Sequence, residues 1–300
     1  MNENPQLLSG LKILDLATML AGPMASSLLA DFGADVVKVE LPGSEDPLRA
    51  LPPHKDGKAL WWKVTNRNKK GITLDVRTPE GRELLLDVIS NFDVLVENFR
   101  PGTLEKYGLG PDVLQDRHPG LVILRVSGYG QTGPNATSPG FARVAEAFSG
   151  FTYLCGYEDR SPMHIGFPIA DATTGIFGAL GIMIACWNKA KNPNAPGEII
   201  DLSLVESMFR ILEFLPIEYD QLGHVRERSG NRSQYASPSN IYQSKDGKWI
   251  SLSASAQSIF ENFARQMGRP ELITDPRFAT NKKRVEHANE LDEIVGKWFS

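Results

Sequence analysis

The chain has 300 residues, of which 41% are hydrophobic and 23% charged, and a formal net charge of -4. This is the composition of a soluble globular protein with a core of ordinary size, and the weak acidic balance argues against nucleic acid or an anionic membrane as a partner. Two cysteines, Cys155 and Cys186, have neither CxxC nor metal-ligand spacing. They read as two buried thiols, a sparse usage that suits a reducing compartment and makes the cytoplasm the expected location. The opening MNENPQLLSG has no charged segment followed by an apolar stretch, so a signal peptide is not expected.

The first hundred residues alternate strand and helix signals. LKILDL (11–16) is a short apolar run that predicts a buried parallel strand. AGPMASSLLADFG predicts a helix, with Pro23 in its first turn and Gly33 just past its end. ADVVKVE (34–40) and GITLDV (71–76) predict strands, and TPEGRELLLDVISNF predicts a helix capped by Thr78 with Pro79 at its first position. DVLVENF (93–99) and LVILRVSGYG (121–130) predict two more strands. Residues 141–155 and 171–190 predict largely buried helices. Within the second, IFGALGIMIACW (176–187) is too short to span a bilayer and carries glycines, which predicts a core helix. After a polar turn come the strand EIIDLSL and the helix LVESMFRILEFL.

Alternating strands and helices predict an α/β fold, a Rossmann-like, mostly parallel sheet with helices on both faces. In such sheets ligands bind outside the carboxyl ends of the strands. The polar strand exits therefore stand out: Asp15 to Leu20, Glu40, Glu97 to Arg100, and Ser127 to Gln131. The large domain is expected over residues 1–221, a linker over 222–229 and a smaller α+β domain over 230–300. In the latter NIYQSKDGKWISLSA predicts two strands around a Lys-Asp-Gly turn. FENFARQMG and KKRVEHANELDEIVGKWF predict amphipathic helices.

No GxGxxG follows the first strand, and GxxxxGK[ST], GxSxG and HExxH are absent. A dinucleotide dehydrogenase lacks its phosphate loop here, and five scattered histidines offer no metal site. The segments LKILDLATMLAGPMASSLLADFGADVVKVE, NRNKKGITLDVRTPEGRELLLDV, DVLVENFRPGTLEKYGLG, LVILRVSGYGQTGP, PGFARVAEAFSG, GFPIADATTGIFGALGI, GEIIDLSLVESM and GNRS…SPSNIYQSKDGKWISLSA occur in this order from about Leu11 to the end. Together they resemble the family III CoA-transferases, which also include carnitine–CoA and formyl-CoA transferases and the α-methylacyl-CoA racemases.

That resemblance implies an enzyme that moves CoA between an acyl-CoA and a carboxylic acid through an aspartyl-CoA thioester. Acyl-CoA is its substrate, it uses no metal, and two chains interlock as a homodimer. Asp171, in PIADATTGIFGA, matches the family's nucleophile. Taken alone, Asp followed by Ala-Thr-Thr reads as a helix N-cap, and both roles are compatible because a helix N-terminus stabilises an anion. Gly175 and Gly178 read as a small-residue face that a bulky thioester could approach. For CoA, the resemblance implies Arg77 near the diphosphate, Leu74 at the adenine, and Asn98, Phe99 and Lys106 as further contacts.

Departures from the family pattern narrow the activity. Some relatives carry His and Gln where this chain has Thr18 and Leu20, which argues against a small polar acyl group and for an apolar pocket. Some place an Arg at Leu41. Racemases carry a catalytic His at the position of Phe141, so the proton abstraction beside the thioester loses one of its two partners; many transferases have an acidic residue near Ala142. The alternatives are a racemase of the same fold, or a non-catalytic CoA-binding relative. Relatives usually run on past a segment like DEIVGKWFS and return to the first domain. That return is not in this sequence, so closing elements and part of the dimer surface are expected to be missing.

Overall fold

The computed structural model describes residues 6–300, which form two compact units. The first comprises the described residues up to Phe151 together with Ile165–Gln221, and the second Thr152–His164 together with Leu222–Ser300.

In chain order the first unit holds β1 (Lys12–Asp15), α1 (Ala21–Ala30), β2 (Asp35–Glu40), the small hairpin β3 (His54–Lys55) and β4 (Lys58–Ala59), α2 (Leu60–Thr65), β5 (Lys69–Thr73) and α3 (Pro79–Val88). It continues with β6 (Val94–Glu97), α4 (Thr103–Lys106), α5 (Pro111–Arg117), β7 (Val122–Ser127) and α6 (Ala142–Phe148). After α7 (Phe151–Leu154) come α8 (Ile169–Lys191), β8 (Ile199–Ser203), α9 (Leu204–Ile211) and α10 (Leu215–Leu222). Six strands pair in parallel in the order β5-β2-β1-β6-β7-β8. The chain winds outward from β1 to β5, then restarts on the other side with β6, which is the Rossmann arrangement. The order reverses between β1 and β6, where such sheets bind ligands.

The strands are apolar runs because both faces are covered. Ile13, Val94, Val96, Val122 and Leu124 point into one core with α1 and α8 residues, while Leu14, Leu95 and Ile123 point into the other with Leu85 and Leu114. The edge strand β5 is largely exposed, and its exposed Lys70 suits an edge that must not pair further. Helix α8 crosses α1 closely, and glycines permit this. A Cβ on Gly175 would lie 2.8 Å from Met24 Cβ, and one on Gly178 would lie 3.1 Å from Ala25 Cβ.

Several expectations are corrected. Gly175 and Gly178 make room for α1, not for a thioester. The apolar stretch of α8 is not wholly buried: Ile176, Leu180, Ile184 and Trp187 form a stripe 52–64% exposed on the face turned away from α1. The strand expected at 71–76 starts at Lys69, whose side chain is drawn inward to Asp15, and ends at Thr73, with the Leu74 amide making a last bond to the Glu40 carbonyl at 2.9 Å. The helix expected over LVESMFRILEFL breaks after Ile211, with Glu213 in the left-handed region at φ 48°.

In the second unit β9 (Ser239–Gln243) and β10 (Trp249–Ser253) form an antiparallel hairpin whose turn uses Gly247 at φ 79°. Helices α11 (Gln257–Gln266), α12 (Asn281–Glu286) and α13 (Ala288–Phe299) follow; the last two are separated at His287, where one helix was expected. Phe260, Phe278, Leu291 and Val295 form the core. Fully buried Arg284 donates to the carbonyls of Ser237, Ser255 and Phe278 at 2.8, 2.6 and 3.0 Å. Residues 222–229 belong to this unit.

Candidate active site

The exit of β1 is held by four buried charges. Asp15 accepts the Ala17 amide at 2.9 Å on one oxygen, and the Ser26 hydroxyl at 2.7 Å and the Lys69 ammonium at 2.8 Å on the other. Lys38, 1% exposed, donates to the Ala17 carbonyl and lies 3.5 Å from Asp46 and 4.0 Å from Asp15. Asp46 in turn accepts the amides of Met19 and Leu48 at 3.2 and 2.9 Å. Burial pushes the Asp15 carboxyl up, but the ammonium groups of Lys69 and Lys38 outweigh it and hold the carboxyl below its ordinary value. The network fixes residues 17–19, where Met19 takes a left-handed φ of 64°.

Two cavities flank this loop. One, of about 240 Å³, opens at the carboxyl ends of β1, β2, β5 and β6, with Thr18, Leu41, Leu74, Arg77, Phe99 and Tyr107 among its lining. Three of the five residues implied for CoA thus meet in one place. Phe99 and Tyr107 pack edge to face at 6.3 Å. Arg77 makes a paired contact with Asp75, with both hydrogen bonds at 2.8 Å. Asn98 points elsewhere, onto the main chain of Thr18. Lys106 ends α4 as an exposed residue outside this lining, next to Tyr107.

The other cavity, of about 190 Å³, is bounded by Leu20, Met24, Trp61, Phe167, Pro168 and Asp171, with Arg67 also on its wall. The guanidinium of Arg67 is engaged by Asp31 and by the Val64 carbonyl. Asp171 lies in the first turn of α8 and does not cap it; the cap position is Pro168, which offers no side-chain bond. The helix terminus does not dominate its electrostatics either. Burial, followed by the negative charge of Glu146, pushes the carboxyl up to about 6. Leu20 and Thr18, two residues apart on the braced loop, each line one of the cavities.

The residues that the sequence concealed are Lys38, Asp46 and Glu146. A lysine inside the apolar run DVVKVE was the one available signal, since a charge in a doubly buried strand needs partners.

The Rossmann-type sheet thus carries a cavity at its switch point, and a largely buried carboxylate lies on the second cavity beside it. The chain belongs to the family III CoA-transferases, whose family model, CoA-transferase family III, matches residues 8–300. It is 45% identical over 295 residues to the succinyl-CoA–D-citramalate CoA-transferase of Chloroflexus aurantiacus, covering 98% of this chain and 73% of that one. It is 43% identical to the beta subunit of the succinyl-CoA–L-malate CoA-transferase of the same organism, again covering 98% and 73%. A CAIB/BAIF family protein from Brucella suis has the same fold, with a TM-score of 0.84 at 34% identity over 97% of this chain and 78% of that one. The chain is thus a CoA-transferase that moves CoA between an acyl-CoA and a carboxylic acid.

Proposed function

We propose that the enzyme transfers CoA from succinyl-CoA to a hydroxylated dicarboxylic acid, with Asp171 as covalent nucleophile. The substrate class rests on the names of the two Chloroflexus relatives. The observation that carries the chemistry is the placement of Asp171: a largely buried carboxylate on an apolar cavity, joined by the Thr18–Leu20 loop to the cavity that gathers Leu74, Arg77 and Phe99.

An Asp171 oxygen attacks the thioester carbonyl, the C–S bond breaks, and CoA leaves as thiolate with the electron pair. The thiolate then attacks the Asp171 carbonyl of the mixed anhydride, and the donor acid departs as carboxylate, leaving an aspartyl-CoA thioester. The acceptor carboxylate attacks that thioester and releases CoA thiolate again. Thiolate attack on the acceptor's acyl carbon yields the new acyl-CoA and the free Asp171 carboxylate. Dividing one transfer into these steps is covalent catalysis. The apolar lining keeps water from hydrolysing the anhydride and leaves the carboxylate poorly solvated.

The exposed stripe Ile176, Leu180, Ile184 and Trp187 supports a homodimer in which a second copy covers this face; light scattering that returns a monomer removes that part. The two cysteines, neither in a disulfide, fit a cytoplasmic enzyme.

The test is trapping during turnover. With succinyl-CoA and malate or citramalate, hydroxylamine or borohydride should modify Asp171 in the wild type. Asp171→Asn should fold and lose transfer by several orders of magnitude. A folded Asp171→Asn enzyme with normal transfer overturns the mechanism.

A further inference from the structure

The connection from β2 to β5 walls both cavities. Leu41, Asp46 and Pro47 from its first half line the cavity at the switch point, and Trp61, Val64 and Thr65 from its second half line the one that holds Asp171. Arg49 stands between the two halves. The edge of its guanidinium makes a paired contact with Glu40 at the carboxyl end of β2, 2.9 Å from Nε and 2.7 Å from Nη2. The guanidinium carbon lies 3.4 Å from the ring centroid of Trp62. Trp61 and Trp62 are about 100° apart on α2, so one ring meets Arg49 while its neighbour meets the Asp171 cavity.

Glu40 carries the link further. The oxygen that accepts Arg49 Nε also accepts the Asp46 amide at 3.1 Å, and Asp46 holds the Met19 amide at 3.2 Å. A continuous set of contacts thus runs from Trp62 through Arg49, Glu40 and Asp46 to the loop between the cavities. A guanidinium suits this place because its planar fork and its flat face are used at once. An ammonium is a point charge with neither.

We infer that Arg49 is a positioning residue that sets acyl-chain specificity: it fixes α2, and with it the Trp61–Val64 wall of the Asp171 cavity, against the cavity that gathers Leu74, Arg77 and Phe99. This rests on acyl transfer taking place at Asp171. The ends of α2 have their own ties, since the Leu60 amide reaches the Pro53 carbonyl at 2.9 Å and the Ser27 hydroxyl donates to the Thr65 carbonyl. Arg49 grips the helix between them, through Trp62, and joins it to the sheet. A fixed apolar wall discriminates one methylene by about 10- to 200-fold. A wall free to back away admits the longer chain. The CoA half of the donor keeps its contacts either way, because Leu74, Arg77 and Phe99 lie outside this connection.

The test is competition between succinyl-CoA and glutaryl-CoA as donors, with malate or citramalate as acceptor, read as the ratio of their kcat/KM values. The wild type should favour succinyl-CoA by about tenfold or more. Arg49→Lys and Arg49→Ala should both lower that ratio several-fold and leave the Kd of free CoA unchanged. Trp62→Leu should lower it in the same way, and Trp62→Phe, which keeps a ring for the guanidinium, should restore it. Neither Trp62 variant strands a charge, so this pair decides the matter where an Arg49 variant fails to fold. A lower Tm with a wild-type ratio in the Arg49 and Trp62→Leu variants would make the contact merely structural. A wild type indifferent to the extra methylene would leave the wall no part in specificity, and either result overturns the inference. An adduct at Asp171 in the wild type beside an unchanged ratio sinks this inference alone. Absence of any adduct at Asp171 in the wild type sinks the transfer reading as well.

Discussion

Asn98 grips the main chain of Thr18 at both of its polar groups: its Oδ1 accepts the Thr18 amide at 2.8 Å, and its Nδ2 donates to the Thr18 carbonyl at 2.7 Å. The bond joins the exit of β6 to the exit of β1 across the point where the strand order reverses. Asn98, implied by resemblance as a CoA contact, is therefore also a brace for the loop that separates the two cavities.

Asn98→Ala should remove both hydrogen bonds and destabilise the protein by about 2 kcal/mol, at roughly 1 kcal/mol for each. Transfer should fall more than CoA affinity, because the loop loses its position while Leu74, Arg77 and Phe99 remain. Thermal unfolding and a CoA titration separate the two effects. Reduced CoA affinity with unchanged stability would make Asn98 a ligand contact only.

Arg77 must exchange Asp75 for phosphate if it binds CoA. The guanidinium holds the Asp75 carboxyl at about 2, chiefly through the paired hydrogen bond, so Asp75 is ionised at any working pH and competes with phosphate for Arg77. Arg77→Ala should weaken CoA binding at low salt, and the loss should shrink at high salt. Asp75→Asn should tighten binding by releasing the guanidinium. Calorimetric affinity that does not change in Arg77→Ala at low salt would remove Arg77 from the site.

Gly175 lies one helical turn beyond Asp171 on the same side of α8. A methyl there would meet Met24 Cβ at 2.8 Å and the Ala21 carbonyl at 3.2 Å, neither of which can swing away. Gly175→Ala should push α8 off α1, cost about 1–3 kcal/mol of stability and lower kcat by displacing the nucleophile. At Gly178 the tightest contact, 2.9 Å, is the tip of Leu124, which can turn. Gly178→Ala, whose nearest α1 atom, Ala25 Cβ, is farther away at 3.1 Å, should be milder in both assays; a Gly175→Ala enzyme with wild-type Tm and kcat would refute the role of the close crossing.

How far the sequence was legible follows from whether a signal is local. Val94–Val96 and Val122–Leu124 announce themselves because burial on both faces leaves runs of apolar residues there. The Thr78 cap, which accepts the Gly81 amide at 3.1 Å, is equally local. Lys69 is not, because its ammonium reaches Asp15 across 54 residues of chain; hence the misplaced start of β5. Asp171 was legible through its motif alone, since its surroundings come from α1, α2 and α6. Glu146 in RVAEAF has the pattern of a surface glutamate on a short helix, and nothing nearby in the sequence reveals that α8 starts against it.

The raised carboxyl of Asp171 also sets a stability profile. Below the ordinary carboxylate range the group is neutral in the native and unfolded chain alike and contributes nothing. Between that range and about 6 the unfolded chain loses the proton while the native protein keeps it, so stability falls as pH rises. Above about 6 the full cost is present, about 2 kcal/mol once partial exposure is allowed for. Asp171→Asn removes the charge and should therefore be more stable than wild type at pH 8, by several degrees in Tm. That advantage should vanish near pH 3.5. Thermal unfolding of the two proteins across this range measures it directly. A variant less stable than wild type at pH 8, or equally favoured at both pH values, would mean that Asp171 is not a strained carboxylate in the folded chain.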